Sequence, residues 1–200
     1  GPIAMKVPLT TGAYRARSLI AAAQRCVNLY AEKNPDDEEF PMTFYPTPGA
    51  VKKAEFTDGA GWRCLYTSTD NRLFGVVGRV VVLIKPDWTF QTLGNIDSFS
   101  SRCYMLDNGN QIMLVDGTAA GYTITLRTLD FARITNEAFY GSSRIDLVDG
   151  YLILNRPGTK QWYITLINQT DFDALDFASK SGSADLLVAV AVTRRNVFLF

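Results

Sequence analysis

The sequence contains no histidine. That removes the commonest general base, the commonest transition-metal ligand and the usual switch near neutral pH. Cysteine is scarce. Cys26, Cys64 and Cys103 lie far apart without C-x-x-C spacing, which argues against zinc, and their odd count argues against a disulfide framework. The 20 acidic residues balance 20 basic ones, so there is no global basic field to hold a nucleic-acid backbone, although a local basic patch is compatible with that balance. No apolar run approaches the ~20 residues of a membrane span, and there is no secretory signal peptide. A nucleophile elbow, a P-loop and a G-x-G-x-x-G after a strand are also missing. These gaps predict a protein without catalytic, cofactor or metal residues, without membrane or sequence-specific nucleic-acid binding, folding in a reducing cytoplasm.

What the sequence does contain is a repeat. The stretch from Arg102 to Thr135 has an apolar strand around Cys103–Leu106, a turn at Asp107-Asn108-Gly109-Asn110 and a second strand at Ile112–Val115. A third strand follows at Tyr122–Leu126 and a fourth at Phe131–Ile134. Asn-Gly between two apolar runs is a hairpin signal, because both residues tolerate positive φ. The same plan recurs on either side. Arg63-Cys64-Leu65-Tyr66, Arg102-Cys103-Tyr104-Met105 and Arg144-Ile145-Asp146-Leu147 open three units, 39 and 42 residues apart. Second strands are predicted at Leu73–Val76, Ile112–Val115, Tyr151–Leu154 and Val197–Phe200. The links between units also agree: Ser100-Ser101-Arg102, Ser142-Ser143-Arg144 and Ser181-Gly182-Ser183.

Four strands per ~40–45 residues is the period of a β-propeller blade. A lone four-stranded sheet cannot cover both its faces, so such units must stack face to face. Val80-Val81-Val82-Leu83-Ile84, apolar at every position, suits a strand buried on both faces. The expected fold is therefore all-β, with propeller-like repeats of four-stranded antiparallel meanders. A plain β-sandwich of hairpins is the alternative, but it requires no constant period. About three and a half blades are present across 50–200, and the last strand ends on Val197-Phe198-Leu199-Phe200. Propellers usually close with ~4–8 blades, and an open apolar edge is an aggregation liability. The expectation is a fragment of a longer protein.

Ahead of the repeats, Gly1-Pro2-Ile3-Ala4 before Met5 reads as a cloning remnant. Residues 5–49 read as an N-terminal arm with lead-in strands. Arg15–Arg25 is compatible with about three helical turns or with an extended arm. Cys26–Tyr30 and Met42–Tyr45 are strand candidates, separated by a loop carrying Asp36, Asp37, Glu38 and Glu39. Adjacent acids on a loop do not converge on a metal, so a solvated tip is expected. Pro46-Thr47-Pro48-Gly49 is a rigid corner that withholds ladder donors.

Other polar positions carry two readings each. Asp70, Asp107, Asp116 and Asp149 sit at predicted turns, where aspartate is expected for backbone reasons; some propellers instead use channel carboxylates for glycoside hydrolysis. Ser68-Thr69-Asp70-Asn71 begins like an Asp-box turn but lacks its glycine and tryptophan, and no Gly-His or Trp-Asp pair marks WD40 repeats. Asp107–Asn110 suits a hairpin better than a calcium loop. Cys64 and Cys103 are expected as buried thiols. Trp88, Trp162 and Tyr163 could stack on sugars, but their apolar strands suit core packing. Arg63, Arg102 and Arg144 would fall on equivalent positions around one rim, where they would serve a partner surface or an anion, or each pair with a neighbouring blade's acid.

One stretch resembles a known family. Asn28, Leu29, Tyr30 and Glu32 match an "N-L-Y-x-E" strand, and Tyr45, Thr47, Pro48 and Gly49 match a "Y-x-T-P-G" corner leading into β-repeats. This is similar to the N-terminal signature of the phage packaged-DNA stabilisation proteins, tail-hub components of short-tailed phages. The resemblance is specific over about 25 residues and architectural over the rest. It implies a structural virion protein, assembled as a ring, commonly a hexamer, below the portal. There it would link the portal adaptor to the tail needle or tip and help plug the channel so that packaged DNA is retained. Such a role needs complementary surfaces rather than catalytic residues, with Asp36–Glu39, Arg63, Arg102 and Arg144 as candidate contacts. A carbohydrate-binding or glycosidase-type tail propeller is the alternative, and a host protein-interaction propeller a third.

Overall fold

The computed structural model describes residues 28–34, 42–56, 60–181 and 185–200. Every regular element among them is a β-strand. The helix-or-arm segment Arg15–Arg25, Cys26 and the acidic residues Asp36–Glu39 lie outside the described residues. The chain forms two compact units, Gly1–Lys52 and Lys53–Phe200.

In the first unit, β1 (Leu29–Lys33) pairs antiparallel with β2 (Met42–Pro46). Within the described residues the strand begins at Leu29, and Asn28 ahead of it takes a left-handed φ of 56°. The Asn28 carbonyl accepts the Thr47 N–H at 2.9 Å. Tyr30 lies opposite Tyr45, their rings stacked with centroids 5.5 Å apart. Glu32 lies opposite Thr43, whose hydroxyl bonds Asn34. The two halves of the sequence signature are thus partners across one hairpin.

The second unit contains three four-stranded meanders and a two-stranded remainder. The first sheet runs β3 (Trp62–Thr67), β4 (Leu73–Val77), β5 (Val80–Ile84) and β6 (Phe90–Asn95). The second comprises β7 (Tyr104–Asp107), β8 (Gln111–Val115), β9 (Gly121–Thr125) and β10 (Phe131–Arg133). The third comprises β11 (Ile145–Val148), β12 (Tyr151–Asn155), β13 (Gln161–Thr165) and β14 (Phe172–Ser179). β15 (Val190–Thr193) and β16 (Asn196–Leu199) form the last pair. Each sheet keeps chain order, and all pairs are antiparallel.

The cores lie between the sheets. Alternate residues of a strand point to opposite faces, and in β8 this sends Ile112 and Leu114 toward the first sheet and Met113 and Val115 toward the third. In β12, Leu152 and Leu154 pack toward the second sheet while Ile153 packs against Val190 and Val192. All of β12's residues after Tyr151 are buried. Full burial of each such side chain stabilises the stack by ~1.5–3 kcal/mol. This is why the middle strands are apolar throughout rather than alternating. Among the aromatics, Tyr163 is buried and Trp162 half-buried against the third core. Trp88 corrects the expectation of strand packing: it sits at the β5–β6 hairpin tip, 47% exposed, with φ of 67°.

The turn after β7 is also built differently from the Asn-Gly expectation. Gly109 alone takes positive φ, 87°. Asn108 instead uses its side chain, whose Oδ1 accepts the Asn110 and Gln111 N–H groups at 3.1 and 3.0 Å.

Candidate functional site

The first strands of successive sheets, β3, β7 and β11, lie side by side. Each is terminal in its own sheet, so each has one edge outside the ladder. Between them runs an open groove of about 540 Å³. Arg63, Arg102 and Arg144 all line it, together with Trp62, Leu65 and Tyr104. The repeat-start arginines therefore do converge, because each stands at the opening of a first strand. Among the described residues, no carboxylate lines the groove.

Their partners differ from the acids expected of them. Among the described residues, none of the three arginines forms an ion pair. Arg63 donates from Nε to Ser101 O at 2.8 Å, from Nη1 to Gly78 O and Ser98 O, both at 2.9 Å, and from Nη2 to Ser98 Oγ at 2.7 Å and Ser100 O at 2.6 Å. It sits where the chain crosses from the first sheet to the second, and a guanidinium satisfies several carbonyls at once because its donors form a fixed fork. Arg144 stacks its guanidinium over the Tyr104 ring, 5.1 Å from the centroid. That contact leaves its N–H edge unspent. Arg102 is exposed, and its guanidinium has no hydrogen-bond partner among the described residues.

Cys64 and Cys103 line the same groove. The Cys103 N–H donates to Arg63 O at 3.3 Å, tying the two strands together. Cys103 is buried, as expected, while Cys64 is only half-buried. The adjacent Cys103 thiol draws the Cys64 pKa below the usual thiol value, more than burial raises it, whereas contact with Cys64 and burial push Cys103 up.

Two of the turn aspartates, Asp107 and Asp116, serve their own turns and also reach across the seams between sheets. Asp107, buried, accepts Tyr66 OH at 2.9 Å, Thr69 N at 2.9 Å, Thr69 Oγ1 at 2.7 Å and Gly109 N at 2.8 Å. Three of those four bonds come from the first sheet's side. Burial and this carboxylate together push the Tyr66 hydroxyl up to about 12. Asp116, also buried, accepts from Ser98 Oγ, Thr118 N and Thr118 Oγ1. Asn155 holds the next crossing: its Oδ1 accepts Ser142 Oγ at 2.8 Å, Ser143 N at 3.2 Å and Arg144 N at 3.0 Å. Asn155 ends β12 and Asp116 directly follows β8, at equivalent positions 39 residues apart. A polar residue closing an apolar strand at the repeat interval was the available signal for this seam role. Asp70 and Asp149 remain in exposed ion pairs with Arg72 and Arg195. The Arg72 guanidinium and the Ser68 hydroxyl hold Asp70 at about 2.

No group of histidine, cysteine, aspartate or glutamate that could hold a metal ion exists among the described residues. Among the described residues there is no helix long and apolar enough to cross a membrane, which says nothing of a β-barrel.

The family model described as "Phage_stabilise: Bacteriophage P22 Gp10, beta-propeller" matches residues 5–200. The chain belongs to the Phage_stabilise family. The all-β meanders are the propeller blades of that family, and this Phage_stabilise member is a phage structural protein. No curated protein matches it in sequence. In fold, it is similar to the extracellular domain of the one-component system BT4673 from B. thetaiotaomicron, at TM-score 0.51 and 10% identity, covering 69% of this chain and 20% of that one. It is similar to a chain in the S. cerevisiae assembly of dbp5 with nup159, gle1, IP6 and ADP, at TM-score 0.51 and 10% identity, covering 73% and 39%. It is also similar to the computationally designed Ika4 protein, at TM-score 0.50 and 10% identity, covering 76% and 98%. The chain thus spans only a fifth to two-fifths of the two natural structures. At this identity, the likenesses bear on fold alone.

Proposed function

We propose that this protein is a tail-hub component, assembled as a homo-oligomeric ring such as a hexamer below the portal. It links the portal adaptor to the tail needle or tip and helps plug the channel, so that packaged DNA is retained. The observation that carries this reading is the family match over residues 5–200. The hairpin built from the signature residues supports it. Tyr30 and Tyr45 stack on one another while remaining 50% and 42% exposed, and exposed paired aromatics are what an assembly contact uses. We assign Asn28, Leu29, Tyr30, Glu32, Tyr45, Thr47, Pro48 and Gly49 to that assembly element.

The test is DNA retention in particles of the encoding phage assembled without this protein. Heads should package DNA and then lose it, so that packaged DNA becomes sensitive to added nuclease. Heads that stay full and nuclease-resistant would refute the plug role. Electron cryo-microscopy of complete virions locates the protein, and density anywhere but the tail would refute the assigned position.

A further inference from the structure

We propose that the groove between β3, β7 and β11 binds an extended, carboxylate-bearing peptide segment of a partner protein, with Arg102 and Arg144 taking the carboxylates. The inference does not depend on where in the virion the protein sits. It rests on four features of the groove.

The first is uncompensated charge. Three arginines line the groove and, among the described residues, no carboxylate does. Arg63 is consumed by carbonyls of the Ser98–Ser101 link. Arg102 and Arg144 are not, and guanidinium forks match carboxylates bidentately. The second is preorganisation. The contact with the Tyr104 ring, 5.1 Å from its centroid, restrains the Arg144 guanidinium, so less side-chain freedom is lost when it binds. The third is mixed lining. Trp62 is 41% exposed and Leu65 59% exposed beside the arginines. A bare inorganic anion leaves those apolar surfaces in water, whereas a peptide with alternating acidic and apolar side chains covers both. The fourth is shape. About 540 Å³ falls within the ~300–1,000 Å³ of pockets that enclose small ligands. The strands beside it are terminal in their sheets, which suits an extended segment. A nucleic-acid backbone fits less well. Such interfaces bury ~1,000 Å² or more with strongly positive surfaces, and this chain has 20 acidic residues for its 20 basic ones.

The probes are a fluorescein-labelled acetyl-(Glu-Leu)3-amide, its Gln-for-Glu twin and a labelled dodecathymidylate, followed by anisotropy at low salt with the 200-residue chain. The acidic peptide should bind at least tenfold tighter than the glutamine peptide and than the oligonucleotide, and added salt should weaken it. The double variant Arg102→Ala with Arg144→Ala should lose at least tenfold in affinity with an unchanged far-UV circular dichroism spectrum, since neither guanidinium holds the fold together by hydrogen bonds. Replacing both arginines by glutamate should transfer preference to a (Lys-Leu)3 peptide, and this charge swap tests the site even if the alanine pair perturbs folding. Absence of acidic-peptide binding, equal binding by the double variant, or tighter binding of the oligonucleotide would each overturn the proposal.

Discussion

Replacing Asp107 by asparagine changes one atom and should loosen the seam between the first two blades. The carboxylate accepts four hydrogen bonds, from Tyr66 OH, Thr69 N, Thr69 Oγ1 and Gly109 N, at a site only 2% exposed. An amide has one acceptor oxygen and one donor nitrogen. Placed with nitrogen toward Tyr66, it leaves Thr69 N without an acceptor. Flipped, it leaves Gly109 N without one. Hydroxyls can reorient to accept, but a backbone N–H cannot. One buried unpaired donor costs ~1–3 kcal/mol, and loss of the charge-assisted bonds adds to it. We expect Asp107→Asn to cost ~2–3 kcal/mol and Asp107→Ala ~3–5 kcal/mol, read as a lower urea midpoint at unchanged m-value. Asp70→Asn is the control. Its exposed pair with Arg72 should contribute ~1 kcal/mol or less. Tyr66 gives a second, independent readout. Its pKa of about 12 owes more to burial than to Asp107, so Asp107→Asn should lower it while leaving it above 10. The sign follows directly. A raised folded-state pKa favours the folded state while the hydroxyl is neutral, so Tyr66's contribution is complete below about pH 10 and is lost toward pH 12. An Asp107→Asn variant as stable as Asp70→Asn, with an unmoved Tyr66 titration, would refute the seam argument.

Three further outcomes are expected. Arg63→Ala should cost ~2–3 kcal/mol, and Arg63→Lys should recover less than half of it, because an ammonium cannot address the Gly78, Ser98, Ser100 and Ser101 carbonyls together; chemical denaturation checks both. Iodoacetamide near pH 8, followed by peptide mass mapping, should label Cys64 well before Cys103, since the two thiols shift in opposite directions and Cys103 is buried; faster labelling of Cys103 would contradict the assignment. Gly94→Ala should lower the unfolding midpoint by ~1–3 kcal/mol equivalent, because a Cβ there meets the Phe131 ring at 2.2 Å, whereas Gly49→Ala, with open space around it, should stay within ~0.5 kcal/mol.

Much of the architecture was legible because burial writes a period into the chain. Val80–Ile84, Ile112–Val115 and Tyr151–Leu154 are apolar throughout and all three are middle strands, and the last two have a packed sheet on each face. What could not be read was which polar side chain crosses a seam. Asp107 and Asp149 look alike as turn residues, yet one is buried against the preceding blade and the other pairs with Arg195 at the surface. The difference depends on where Tyr66 and Thr69 stand, 41 and 38 residues earlier, and no local pattern carries that distance. Trp88 was misplaced for the opposite reason. Its local chemistry suits a strand, but the Pro86-Asp87 turn before it holds it at the hairpin tip.

The three repeat-start arginines show how a repeat divides labour among equivalent positions. Sequence alone places Arg63, Arg102 and Arg144 alike, and the groove does gather them. Their surroundings then separate them. Arg63 lies within its strand, against the Ser98–Ser101 link, and turns inward to its carbonyls. Arg102 and Arg144 lie just ahead of theirs, and their guanidiniums find no such carbonyls. At the Arg144 crossing, Asn155 Oδ1 instead accepts the Ser143 and Arg144 N–H groups. Arg63 and Asn155 therefore secure their crossings by opposite chemistry, a donor fork for carbonyls and an acceptor oxygen for N–H groups. The two residues should differ in cost: an Asn155→Ala variant should destabilise the third blade's crossing, whereas Arg144→Ala should leave stability within ~0.5–1 kcal/mol, the worth of its one cation–π contact.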